Sequence, residues 1–143
     1  MNIYIASDHA GFLLKQRLIE RLDAPLVDLG TDSPEICDYP IFARKLVEKV
    51  LEATGNRGIL VCGSGIGMSI VANRRRHIRA ALCFDESMAQ MSRRHNDANV
   101  LVLGERITDG QAALNCVRMF LDTEFEGGRH KRRLDMIDAG DDG

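Results

Sequence analysis

Gly58-Ile59-Leu60-Val61-Cys62-Gly63-Ser64-Gly65-Ile66-Gly67 is the stretch on which the fold is decided. Its first half is wholly apolar, the mark of a strand covered on both faces. Its second half holds three glycines, so the chain turns tightly, and Met68 to Asn73 then opens a helix. Strand, loop, helix is half of a strand-helix-strand unit. The same alternation runs outward in both directions. Upstream, Asn2 to Ala6 reads as a buried strand and Leu26 to Gly30 as another. Between them lies a helical stripe, Phe12, Leu13, Gln16, Leu18, Ile19 and Leu22, closed before Pro25. A loop from Thr31 to Tyr39 leads to Pro40, which suits a first helical turn, and that helix runs to about Ala53. Downstream come a strand Arg79–Cys83, a helix Ser87–Arg94 and a strand Asn99–Gly104. A helix capped by Thr108 follows, running to Leu121, and then a short helix Arg129–Ile137. Five strands alternating with helices predict an α/β protein, an open parallel sheet in three layers, α/β/α.

The 143 residues suit one domain over 1–143, with a frayed tail from about residue 139. Hydrophobic residues are 45% and charged residues 28%, ordinary globular values that argue against disorder or a coiled coil. Nineteen Lys+Arg against 21 Asp+Glu leave a net charge of −2, which speaks against a general nucleic-acid or anionic-membrane binder. No apolar run approaches the ~20 residues of a membrane span, and the first residues do not have the form of a signal peptide. A cytoplasmic protein with reduced cysteines is expected. Cys37, Cys62, Cys83 and Cys116 form no CxxC pair and no zinc motif.

Open parallel sheets bind ligands beyond the carboxyl ends of their strands, so the loops after the first, third and fifth strands are the ones to read. The glycine loop can aim backbone N–H groups at an anion, and the following helix adds partial positive charge. It is neither the dinucleotide fingerprint nor a Walker loop, since Met68 stands where a further glycine would and no Gly-Lys-Ser/Thr follows. The plainer reading is a simple strand-to-helix turn. Cys62, at the strand end, is either a thiol whose pKa the helix lowers or a small buried hydrophobe. Cys83 can be read the same way but has no glycine loop. Asp8-His9 offers acid–base groups, or a loop cap and a surface imidazole. His95-Asn96-Asp97 is a dense polar cluster whose plainer reading is a helix C-cap at Asn96. Two basic runs, Arg74-Arg75-Arg76-His77 and Arg129-His130-Lys131-Arg132-Arg133, could hold phosphate. The first reads mostly as a solvated face. With five Phe, two Tyr and no Trp in the chain, stacking on nucleic acid has little support.

In their order and spacing these segments resemble the ribose-5-phosphate isomerase B family, which includes galactose-6-phosphate isomerase subunits. The resemblance runs from about Asn2 to Ile137. It rests on Ser7-Asp8-His9-Ala10-Gly11, Asp38-Tyr39-Pro40, Cys62-Gly63-Ser64-Gly65-Ile66-Gly67, Ala72-Asn73 and Ile78-Arg79-Ala80. Arg94-His95-Asn96-Asp97-Ala98-Asn99-Val100-Leu101 and Phe125-Glu126-Gly127-Gly128-Arg129-His130 complete it. The resemblance implies a Rossmann-like fold and reversible interconversion of ribose 5-phosphate and ribulose 5-phosphate, without metal or cofactor. It also implies a homodimer, or a tetramer of such dimers, with active sites between subunits. Carried over by position, Cys62 matches the base that moves a proton between C1 and C2, and the backbone of Gly63, Gly65, Ile66 and Gly67 matches the enediolate hole. His95 matches the group that opens the sugar ring, and Ser64 an assisting hydroxyl. Asp8, His9, Tyr39 and Asn96 match substrate-hydroxyl contacts. Arg129 and Arg133 match phosphate ligands, with Arg106 and His130 as further candidates. His95, Asn96 and some arginines would come from the partner subunit. One branch of the family carries a glutamate after the loop where this chain has Met68-Ser69, and the cysteine branch usually has threonine where Ser64 stands. The competing expectations are a six-carbon sugar phosphate, a non-catalytic phosphate- or nucleotide-binding module, and a redox role for Cys62.

Overall fold

The computed structural model describes residues 1–140. Five parallel strands, β1 (Ile3–Ser7), β2 (Leu26–Asp28), β3 (Arg57–Cys62), β4 (Ala80–Leu82) and β5 (Val100–Gly104), form one sheet in the order β2-β1-β3-β5-β4. Six helices accompany them: α1 (Phe12–Arg21), α2 (Tyr39–Val50), α3 (Ile66–Asn73), α4 (Glu86–Arg94), α5 (Gly110–Asp122) and α6 (Arg129–Ala139). The three inner strands are buried throughout except at Arg57, whereas the edge strands β2 and β4 are short and half-covered. The period of two along each strand then sorts the core. Ile59 and Val61 join Leu14, Leu18, Leu101, Leu103 and Phe120 on one side. Leu60 and Cys62 join Leu46, Val47, Met68 and Val102 on the other. Cys62 therefore faces α2 and α3. Register pairs Gly58 with Val100 at one end of the sheet and Cys62 with Gly104 at the other. None of the described helices is long and apolar enough to cross a membrane.

Three details refine or correct the sequence reading. The inward face of α1 is Leu14, Lys15 and Leu18, while Leu13 is exposed. Leu18 and Leu22 of the expected stripe are buried, but Leu13 and Gln16 are exposed, and Leu14 and Lys15 take the inward positions. Thr108 does not cap α5: its N–H closes a turn onto Gly104 O, and Asp109 caps the helix by accepting from Ala112 N at 2.9 Å. Arg74, Arg75 and Arg76 are exposed, as the solvated-face reading has it, but the run and Arg79 also make side-chain contacts. Arg75 Nε pairs with Glu48 at 2.6 Å, Arg76 donates to the Asp138 and Ala139 carbonyls, and Arg79 binds both Asp138 oxygens at 2.9 and 3.0 Å. The Arg76 and Arg79 contacts pin the C-terminal end of α6, a helix that itself buries only His130 and Leu134. Ala139 ends α6 and Gly140 caps it, and the rest of the expected tail, residues 141–143, lies outside the described residues.

Lys15 is fully buried. Its Nζ donates to both Asp28 oxygens at 2.7 and 2.8 Å and to Thr31 O at 2.8 Å. The ammonium thus ties α1 to the edge strand and to the loop that delivers Tyr39. Asp28→Asn is expected to lower the unfolding free energy by about 3 kcal/mol, because it leaves a buried charge without its counter-charge. Urea denaturation measures the change, and a shift under about 1 kcal/mol would show that water reaches the ammonium.

Candidate active site

The carboxyl ends of β1, β3 and β5 open into a cleft of about 570 Å³ walled by Asp8, His9, Tyr39, Cys62, Gly63, Ser64, Ile66, Gly67 and Arg106. Its floor is the glycine loop. Gly65 sits at φ +83°, and a Cβ there would meet Leu82 Cδ1 at 2.5 Å, so a side chain is excluded twice over. At Gly67 a Cβ would meet the Tyr39 ring at 2.5 Å, so that glycine lets the phenol lie across the mouth of α3. The first intrahelical bond of α3 is Ser69 N to Gly65 O. The N–H groups of Ile66, Gly67 and Met68 therefore open the helix toward the cleft without an intrahelical acceptor.

Cys62 Sγ lies under these donors and accepts from Gly65 N at 3.1 Å. Burial pushes the thiol pKa up, nearby N–H groups of Met68, Gly65 and Ser64 pull it back, and the Asp8 charge adds to the rise. The net direction is upward, which goes against one of the two sequence readings, a thiol lowered by the helix, and with the other, a buried thiol. The helix acts as expected, but desolvation outweighs it. Cys83 and Cys116 are buried in the opposite core, and burial pushes them to about 12 and about 11. They are apolar filling, so the reactive reading of Cys83 falls. Iodoacetamide is expected to label Cys37, which is half-exposed, first. Cys62 should follow at a rate that climbs with pH, and Cys83 and Cys116 only on unfolding. Mass-spectrometric mapping reads the order, and Cys83 labelled ahead of Cys62 would contradict it.

Asp8 is both a cap and a wall. Its Oδ1 accepts from Gly11 N at 3.0 Å and fixes the short 3-10 turn His9–Gly11. His9 Nδ1 accepts from Cys37 N at 3.2 Å, so a neutral His9 carries its proton on Nε2 as a donor. Ser64 Oγ accepts from Ile66 N at 3.2 Å. The Arg106 guanidinium lies over Gly63, about where a Cβ would stand 3.4 Å away, and Arg106 N donates to Gly63 O at 3.0 Å.

The remaining expected residues are elsewhere. His95 is the C-cap of α4, so the cap is not Asn96, and the left-handed residue is Asp97 at φ +44°. This segment precedes β5, at the end of the sheet opposite Cys62. The strand between Val100 and Gly104 spans four residue steps, roughly 13 Å. His95 meets His130 instead, with stacked rings 4.5 Å apart and 18° between planes. Glu126 Oε1 is 3.8 Å from Nε2 of each ring, and Glu126 Oε2 accepts from Arg94 Nε at 2.6 Å. Arg94 holds the Glu126 carboxyl below the usual carboxylate range. Burial and the His95 ring push the His130 imidazole down. Arg129 and Arg133 are exposed on the same helix as His130. The donor atoms of His95, Glu126 and His130 lie within 4.8 Å of one another. Nearly parallel imidazoles aim their in-plane lone pairs side by side rather than at one point, so the trio is not set as a tetrahedral chelate. Sequence reasoning quoted Glu126 and gave it no role, although its spacing of four from His130 was the available signal.

A model of the family described as ribose/galactose isomerase matches residues 3–137. The chain is 40% identical to the ribose-5-phosphate isomerase B of Escherichia coli over 140 residues, 96% of this chain and 94% of that one. Its fold superposes on a crystal structure of a ribose 5-phosphate isomerase from Thermotoga maritima with TM-score 0.93 and 48% identity, covering 96% of this chain and 97% of that one. The Mycoplasma genitalium ribose-5-phosphate isomerase B with bound ribulose-5-phosphate gives TM-score 0.92 and 41% identity, covering 96% and 93%.

Proposed function

We propose, from the premise that the chain belongs to the ribose/galactose isomerase family, that it interconverts D-ribose 5-phosphate and D-ribulose 5-phosphate through an enediolate. The observation that carries this is the Cys62 thiol held beneath the open N–H groups of α3, in a cleft that Asp8 and His9 also wall. Cys62 as thiolate removes the C2 proton of the open aldose and returns it to C1. Negative charge grows on O1, where backbone N–H groups at the start of α3 stabilise it. The Ser64 hydroxyl assists the transfer of a proton between O1 and O2. His9 Nε2–H, Tyr39 and Asp8 hold the sugar hydroxyls. A raised thiol pKa makes the thiolate, once formed, a stronger base toward a weakly acidic C–H bond.

A second copy of this chain completes the site. His95 and Asn96 precede β5 at the end of the sheet opposite Cys62, and His130, on the helix that carries Arg129 and Arg133, stacks on His95, so none of these residues walls the cleft of its own chain. A two-fold dimer places the same surface of one copy on the cleft of the other. Arg129 and Arg133, with Arg106 and His130, then bind the phosphate, and His95 opens the furanose. The arginines also bring positive charge toward Cys62 and favour its thiolate. The enzyme works as a cytoplasmic homodimer that needs neither metal nor cofactor. Purified protein given ribose 5-phosphate in metal-free buffer is expected to form ribulose 5-phosphate. If only six-carbon sugar phosphates turn over, the substrate assignment fails, and if neither does, the isomerase reading fails.

A further inference from the structure

We propose that Glu126 is the positioning residue that sets His95 for opening the sugar ring, an inference that rests on the isomerase reading above. Opening a furanose breaks the C1–O4 bond, places a proton from the His95 imidazolium on O4 and passes the O1 hydroxyl proton to water, from which the neutral imidazole is protonated again, so the reaction is neutral overall. His95 delivers the O4 proton and must arrive charged and correctly turned. Its position alone guarantees neither, because it caps the end of α4 and its side chain is about a third exposed.

Glu126 addresses both. Its N–H donates to Arg94 O at 3.0 Å and its Oε2 accepts from Arg94 Nε at 2.6 Å, so it grips the residue before His95 by backbone and side chain. Its Oε1 then stands 3.8 Å from His95 Nε2. The imidazole is held between this carboxylate and the His130 ring stacked 4.5 Å away. The charged groups around the pair are Arg94 on α4, Glu126 on the connection to α6, and Arg129, His130 and Arg133 on α6. All except Glu126 are cationic or become so on protonation. Removing the carboxylate would leave a second imidazole and three guanidinium groups to oppose an imidazolium at His95. Exposed ion pairs of this kind add little to stability, so the effect belongs in catalysis rather than in the fold.

Glu126→Gln keeps the shape and an acceptor for Arg94 but removes the charge, and Glu126→Asp restores the charge on a shorter arm. Three readouts separate the roles: turnover of ribose 5-phosphate, inhibition by the acyclic D-ribitol 5-phosphate, and deuterium uptake at C1 of ribulose 5-phosphate in heavy water. The last reports proton transfer without any ring step. Glu126→Gln is expected to lower kcat by at least about tenfold, with ribitol 5-phosphate inhibition and deuterium uptake within about threefold of wild type and partial recovery in Glu126→Asp. A kcat within twofold of wild type overturns the proposal. So does inhibition or deuterium uptake that falls in step with kcat, since Glu126 would then serve phosphate binding or the whole site. Wild-type protein that forms no ribulose 5-phosphate overturns the isomerase reading instead.

Discussion

Cys62→Ser is expected to lower isomerase turnover by ~10³-fold while the protein melts and binds sugar phosphate as wild type does. Serine nearly matches cysteine in volume, and its oxygen can keep the hydrogen bond from Gly65 N that Sγ accepts at 3.1 Å. It cannot keep the chemistry. An alcohol is not ionised by three N–H groups at neutral pH, so the C2 proton has no acceptor of adequate strength. The donors over the enediolate oxygen survive, because they are backbone groups set by the φ of Gly65 and by the start of α3. Binding and catalysis should therefore separate. Steady-state kinetics with a thermal melt and a titration of ribitol 5-phosphate read all three quantities. Turnover within tenfold of wild type would remove Cys62 as the base and shift attention to Asp8 or His9, the other acid–base groups of the cleft. Lost binding with lost turnover would show that the thiol shapes the cleft rather than works in it.

The strand-loop-helix at Gly58–Asn73 could be read from residue types because everything that determines it is local. Apolar continuity makes β3, and glycines at 63, 65 and 67 allow the turn. The order of strands and the mouth of the sheet follow from the same alternation. What sequence could not supply depends on partners distant along the chain. Lys15 occupies a core position because Asp28 meets it, and no hydropathy pattern encodes that pairing. The basic run Arg74–Arg76 reads as solvent-facing and is exposed, but no residue type in it announces that Arg76 and Arg79 meet Asp138 of α6. Thr108 and Asp109 are equally good caps by type, and the turn closed onto Gly104 decides between them. The Cys62 thiol shows the same limit: helix position and burial were both visible in the sequence, but which of the two outweighs the other was not.

Mixing two inactive variants is expected to restore activity. Cys62→Ser removes the proposed base of one cleft, and His95→Asn removes the proposed ring-opening group carried at the other end of the chain. Each homodimer is defective at both sites, with the His95 variant also lowered by ~10²–10⁴-fold on ribose 5-phosphate. When the two are unfolded together and refolded, half of the dimers pair one chain of each kind. In a two-fold dimer one cleft of such a pair receives an intact Cys62 from one copy and an intact His95 from the other, while the second cleft receives neither. About a quarter of wild-type activity should return, since half the dimers each recover one of two sites. The expected recovery follows from the separation of the two residues by the length of β5, which on the proposed dimer leaves one copy's His95 to serve the other copy's thiol. If His95 served its own chain's Cys62, mixing would restore nothing, because every cleft would keep one defect. The size of the recovery thus reports whether the two ends of the sheet meet across an interface.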